Sequence, residues 1–245
     1  PDTGHGYKAA GEPFKVAIQS LNANGDITPS FGKESTPAKG SVAFDSVVFP
    51  NDGYGEPSDL DVEDLSTIPD QDNPGRLIGE GAVWNEAGTV NITAALKGGK
   101  YLGVVDTAIK PASTVGRFYP HHFIVASSAV TNSCAASVAS VAESFSYLGQ
   151  PEIGIDFTVH AVNASGDLVQ NYGHANYAGV AAISAAAVDT TNGLPTARLI
   201  ADVSATWVDG VYEVALTDAE VTRRADNTPD GPFGDTRIQL TISNA

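Results

Sequence analysis

Alternate carboxylates in Asp59-Leu60-Asp61-Val62-Glu63-Asp64, followed by Asp70-Gln71-Asp72-Asn73-Pro74-Gly75, have the residue types and spacing for metal chemistry. Calcium takes oxygen ligands from carboxylates and carbonyls on a loop that wraps around it, so Asp59, Asp61, Asp64, Asp70 and Asp72 are the candidate calcium ligands. The second run departs from the EF-hand pattern, with Pro74 at the fifth ligand position and Gly81 at the twelfth, and the plain alternative is a solvated acidic loop. His121-His122 supplies two imidazoles, but neighbours on a strand point to opposite faces and would not chelate together. Cys134 is the single cysteine, so no internal disulfide can form, and its segment Thr131-Asn132-Ser133-Cys134 offers no base to activate a thiol. An inert thiol, or pairing with a cysteine outside this sequence, is left.

Trp84 and Trp207 could stack on sugar rings, yet each precedes a glycine and a strand, and those matching places favour paired core tryptophans. Asn91-Ile92-Thr93 and Asn163-Ala164-Ser165 fit the glycosylation sequon, a pattern short enough to arise by chance. No Gly-rich phosphate loop, His-Glu-x-x-His helix, Gly-x-Ser-x-Gly elbow or cluster of Cys and His is present, so an enzyme is not expected.

The elements that would position these residues are strands. Phe14, Val16 and Ile18 alternate with polar or small residues, as do Ile155, Phe157 and Val159, which is the period of a strand with one buried face. Each run ends in Asn-x-x-Gly-Asp, at Asn22 and at Asn163, where Asn hydrogen-bonds its own main chain and Gly takes positive φ without steric cost. Further strands are expected at 41–49, 81–84, 88–96, 101–109, 122–126, 141–148, 196–203, 210–216 and 237–242. The alanine-rich run 179–188 reads as strand over helix. Residues 50–75 read as a protruding loop and 111–116 as a linker. The repeated strand, corner and Trp-Gly order predicts an all-β chain of tandem immunoglobulin-like β-sandwiches, 1–114 and 115–245. Val16, Ile18, Trp84, Val90 and Ile92 would form one core. Phe157, Val159, Trp207, Tyr212, Val214, Ile238 and Leu240 would form the other.

The balance of 13 Lys and Arg against 29 Asp and Glu gives a net charge of −16, which repels phosphate backbones and anionic lipid surfaces. Nucleic-acid partners and membrane insertion of this stretch are not expected, since no apolar run approaches the roughly 18 to 20 residues of a membrane helix. Pro1-Asp2-Thr3-Gly4 is no signal peptide, so any targeting segment has been removed or lies outside this sequence.

Val115-Gly116-Arg117-Phe118-Tyr119-Pro120-His121-His122-Phe123, Cys134, Phe145-Ser146-Tyr147-Leu148-Gly149-Gln150-Pro151, Asn163-Ala164-Ser165-Gly166 and Asn171-Tyr172-Gly173 follow one another in an order that resembles MSHA pilus biogenesis proteins of the MshQ type. Thr222-Arg223-Arg224 and Asp230-Gly231-Pro232-Phe233 extend the likeness, and residues 1–114 share it more loosely. The resemblance implies a secreted or surface protein of a Gram-negative bacterium, associated with type IV pilus components, with other pilus or cell-surface proteins as partners and no catalytic residues. The expected role is a non-enzymatic extracellular stalk or adhesion module. The alternative is a carbohydrate-binding, lectin-like module. No cofactor is expected beyond calcium on the carboxylates named above.

Overall fold

The computed structural model describes residues 6–62, 66–105, 112–134, 145–175, 177–226 and 228–243. Sixteen strands run through them: β1 Lys8–Ala9, β2 Pro13–Gln19, β3 Gly40–Phe49, β4 Leu60–Asp61, β5 Ser66–Pro69, β6 Arg76–Trp84, β7 Gly88–Leu96, β8 Lys100–Tyr101, β9 Val104–Val105, β10 Ser113–Tyr119, β11 His122–Thr131, β12 Ile153–Val162, β13 Ala182–Val188, β14 Leu199–Ile200, β15 Val211–Val221 and β16 Arg237–Ser243. The only helical pieces among the described residues are two 3-10 turns, Pro57–Asp59 and Thr196–Arg198, so the fold is all-β, built as sandwiches. No helix of the described residues is long and apolar enough to cross a membrane. By internal packing the chain forms two compact units, residues 1–123 with 161–178, and residues 124–160 with 179–245.

In the first unit one sheet has the order β1-β10-β7-β3 and the other β2-β6-β4, with β5 also on β6. The strict alternation of β2 buries Phe14, Val16 and Ile18 and leaves Lys15, Ala17 and Gln19 in solvent. Each such apolar side chain contributes roughly 1.5 to 3 kcal/mol on burial, enough to fix the face and hence the register. These three close with Leu77, Trp84, Val90, Ile92 and Phe118 into one core, as the alternation predicts. Trp84 lies flat on Phe44, ring centroids 5.6 Å apart.

Two sequence expectations need correction here. The segment read as a linker is largely β10, which pairs antiparallel with β7 from Ser113 opposite Ile92 to Phe118 opposite Gly88. A register shift between Val115 and Phe118 is absorbed at Gly116, whose φ of 109° suits glycine. Position 114/115 therefore falls inside a strand. The segment read as a protruding loop contributes β4 and β5 to the sheet edge, because each buries one residue: Leu60 opposite Trp84, and Thr67 opposite Gly79.

The two Asn-x-x-Gly-Asp corners have the same geometry. Asn22 Oδ1 accepts the backbone N–H groups of Asn24 and Asp26, each at 2.9 Å, and Asn163 Oδ1 accepts those of Ser165 and Asp167 at 2.9 and 3.0 Å. Gly25 and Gly166 sit at φ 88° and 90°. Downstream, Phe31 and Tyr172 are both buried, each donating its N–H three residues back, to Thr28 and Val169. Burial separates the corners: Asn22 is exposed, whereas Asn163 is buried in the first unit, where the Ala164 N–H donates to the Ala10 carbonyl at 2.9 Å.

In the second unit the main sheet has the order β11-β12-β15-β14, and β13 pairs with β16 along its whole length. Phe157 and Val159 on β12 stand opposite Val214 and Tyr212 on β15, and all four are buried with Trp207, whose Nε1 donates to the Ala181 carbonyl at 2.8 Å. Ile238 and Leu240 are half-buried on the inner side of β16. The alanine-rich run is strand, as expected. Residues 106–109 and 141–144, read as parts of strands, lie outside the described residues, whereas 145–148 is not strand and the strand expected over 196–203 is a 3-10 turn followed by the two-residue β14.

Candidate functional site

Two of the candidate calcium ligands, Asp59 and Asp70, are used by the local fold. Asp59 ends the 3-10 turn, where its carboxylate accepts the Glu56 N–H at 2.7 Å. Asp61 is exposed on β4. The Asp70 carboxylate accepts from the Asn73 amide at 2.9 Å and the Asp72 N–H at 3.0 Å, and pairs with Arg76 at 3.2 Å. The Asn73 bond, first among these, lowers the Asp70 pKa below the usual carboxylate range. Asp72 is exposed, and Asp64 lies outside the described residues. Among the described residues no group of three or more His, Cys, Asp or Glu is placed to hold a metal ion.

His121 and His122 do approach each other, Nδ1 to Nδ1 at 2.9 Å, contrary to the opposite-face expectation. The reason is local: His121 sits in the bend before β11 rather than on the strand. Cys134 Sγ lies 3.7 Å from the Gln150 amide nitrogen. Both tryptophans are core residues, 1% and 5% exposed, so neither offers a face to a ligand.

Sequence reasoning missed Glu86, a carboxyl buried in the first unit in the bend between β6 and β7. It accepts the backbone N–H groups of Gln170 and Asn171, each at 3.0 Å, and of Ala87 at 3.3 Å. Asn171, wholly buried, accepts the Tyr54 N–H at 2.6 Å and donates to the carbonyls of Tyr54 at 2.7 Å and Ala87 at 3.0 Å. Burial pushes the Glu86 carboxyl up to about 7 against the lowering effect of its N–H donors. Every group is satisfied, and the node ties residues 50–55, 85–87 and 170–171 together. This is a structural role.

A ligand-sized space occurs in the second unit, a cavity of about 1090 Å³ with polar and apolar walls. One wall is Phe145-Ser146-Tyr147-Leu148 and another is formed by Arg223, Arg224, Asp226, Asp230, Pro232 and Phe233. These are two of the segments that carry the family resemblance, brought together from 75 residues apart (Leu148 to Arg223). Phe145 and Tyr147, 44% and 60% exposed, meet edge to face with centroids 5.1 Å apart. The Tyr147 N–H donates to the Gln150 side-chain oxygen at 3.1 Å, which fixes the turn.

Arg223 Nε donates to the Leu148 carbonyl at 2.8 Å. Its stem runs beside Gly149, where a Cβ would stand 3.3 Å from Arg223 Cγ. Arg224 Nη2 pairs with Asp226 at 3.0 Å. Asp230, which accepts the Arg224 N–H at 2.9 Å, is paired with buried Arg198, whose hydrogen bond holds the Asp230 carboxyl below the usual range. Arg198 also lies over the Phe233 ring, 5.8 Å from its centroid, and lines an adjoining space of about 600 Å³. At the cavity Arg223 and Arg224 stand against Asp226 and Asp230, so its rim is balanced in charge on a strongly acidic chain.

Fold and site together define an all-β sandwich protein with a mixed aromatic and guanidinium cavity. The model of the third domain of DUF6701 matches residues 86–245 and that of the second domain matches residues 1–75. The chain belongs to the DUF6701 family. No curated protein matches it. A solved structure similar to it is that of the Yersinia pseudotuberculosis adhesin InvE, at 14% identity and a TM-score of 0.33, covering 97% of this chain and 54% of that one. The chain thus spans about half the length of that structure.

Proposed function

We propose that this chain is a non-enzymatic module of an MshQ-like surface protein of a Gram-negative bacterium, acting outside the cell as a stalk or adhesion element beside type IV pilus components. The observation that carries the reading is the ordered set of MshQ-like segments from Val115 to Phe233. Two consecutive DUF6701 domain matches along one chain support a modular protein, and the net charge of −16 suits an exposed, non-aggregating surface. Its partners in this reading are other pilus or cell-surface proteins. Deleting the gene for the whole parent protein tests it: the mutant loses surface attachment, and attachment at the wild-type level argues against the role.

A second reading, a glycan-binding module, is favoured by the cavity with its exposed Phe145 and Tyr147, since aromatic faces stack on sugar rings. A glycan array probed with the whole chain separates the two. Reproducible binding lost in Tyr147→Ala supports the lectin, and an array without binding leaves the stalk.

A further inference from the structure

We infer that the cavity of the second unit takes a carboxylate-bearing saccharide, with Arg223 as the fork for the acid group and the Phe145–Tyr147 pair as the platform for the ring; this rests on the glycan-binding reading above. Of the two arginines lining the cavity, Arg224 is committed to Asp226, and Arg198 in the adjoining space is committed to Asp230. Arg223 differs. Its side chain makes one hydrogen bond among the described residues, from Nε to the Leu148 carbonyl, and both terminal nitrogens are without an acceptor there.

A guanidinium presents its donors in a planar fork that matches the two oxygens of a carboxylate. Here that plane is set in advance: the Leu148 carbonyl holds one edge, and Gly149, at φ 75°, leaves room for the stem where a side chain would crowd it. Such preorganisation reduces the ordering cost of binding. The Leu148 carbonyl belongs to the same turn that presents Tyr147, so the fork is anchored on the residue next to the platform. Against a chain of net charge −16, an uncommitted guanidinium in a cavity is a local attractor for an anion. The exposed aromatic pair and the polar wall select a flat-faced polyhydroxylated ring over a bare ion.

The test is calorimetric titration of the whole chain with trigalacturonate, a glucuronate trisaccharide and a sialylated trisaccharide, each beside its methyl-esterified neutral form, with a triglutamate peptide as a non-sugar carboxylate. The result expected is binding of at least one acid form about tenfold or more above its ester, with that preference lost in Arg223→Ala and Arg223→Lys and overall affinity reduced in Tyr147→Ala. Both positions are exposed, so unchanged melting temperatures establish that the variants fold. Equal binding of acid and ester forms overturns the acid selectivity and leaves a neutral glycan site. Triglutamate binding as tightly as the sugars, with no effect of Tyr147→Ala, overturns the saccharide. No binding by any of the probes overturns this inference, and a silent glycan array then removes the lectin reading as well.

Discussion

Glu86 gives the chain a stability that falls as pH rises through neutrality. Its carboxyl is 6% exposed and is pushed from the ordinary 4.5 up to about 7, chiefly by desolvation. Between those two values the folded state holds a proton that the unfolded chain releases, so stability declines with increasing pH across the window. The difference corresponds to about 3 kcal/mol, fully expressed above the folded value and absent below the unfolded one. Carboxyls whose pKa is lowered by hydrogen bonds, such as the buried Asp189 and the exposed Asp226, act in the opposite sense at lower pH, outside this window. Glu86→Gln removes the titration but places an amide N–H₂ against one of the backbone N–H donors from Ala87, Gln170 or Asn171, a mismatch costing about 1 to 3 kcal/mol at every pH. Urea unfolding of both proteins at pH 5, 6, 7 and 8 should therefore show wild type losing about 2.5 kcal/mol over the series while the variant changes little. The variant's deficit shrinks as pH rises. A deficit that is constant, or that widens with pH, would show that the N–H donors outweigh burial and would refute the reasoning.

Three further outcomes follow from the same geometry. Asn163→Ala should cost about 1 to 3 kcal/mol in urea unfolding, because a buried side chain that accepts two part-buried N–H bonds is lost, whereas the exposed Asn22→Ala should cost under about 1 kcal/mol despite the identical corner. Arg198→Ala should cost about 3 kcal/mol, since it strands the Asp230 carboxylate and the Thr222 carbonyl, and Asp230→Asn should recover part of that loss in the double variant. For calcium on Asp59, Asp61, Asp64, Asp70 and Asp72, a melting temperature of metal-stripped chain that rises with millimolar calcium keeps the expectation, and an unchanged one removes it.

The sequence was most legible where one face of a strand is buried and its ends are marked. β7 has the expected limits, and β2 and β12 carry the alternation read at Phe14, Val16, Ile18 and at Ile155, Phe157, Val159, because alternation sets the face and Gly or Asn-x-x-Gly-Asp sets the end. The identical Oδ1 capping at Asn22 and Asn163 was written in the motif, but not that segment 161–178 would pack with residues 1–123 and bury only the second corner. β10 was misread because Pro111, Ser113, Thr114 and Gly116 carry turn-like composition, and a bulge at Gly116 lets the strand continue through it. β4 and β5 were hidden among carboxylates, since short edge strands need only one buried residue each, Leu60 and Thr67. Glu86 carries no local signal, as its burial depends on residues more than 80 positions away. The cavity was half-legible: its two walls drew notice as segments, but their convergence and the free fork of Arg223 are tertiary facts.

The central claim, that this chain stands outside the cell, is tested most directly by labelling intact Gram-negative cells of the native host with an antibody raised against residues 1–245. The account predicts labelling of unpermeabilised cells that disappears when the parent gene is deleted, and labelling that requires permeabilisation would contradict it.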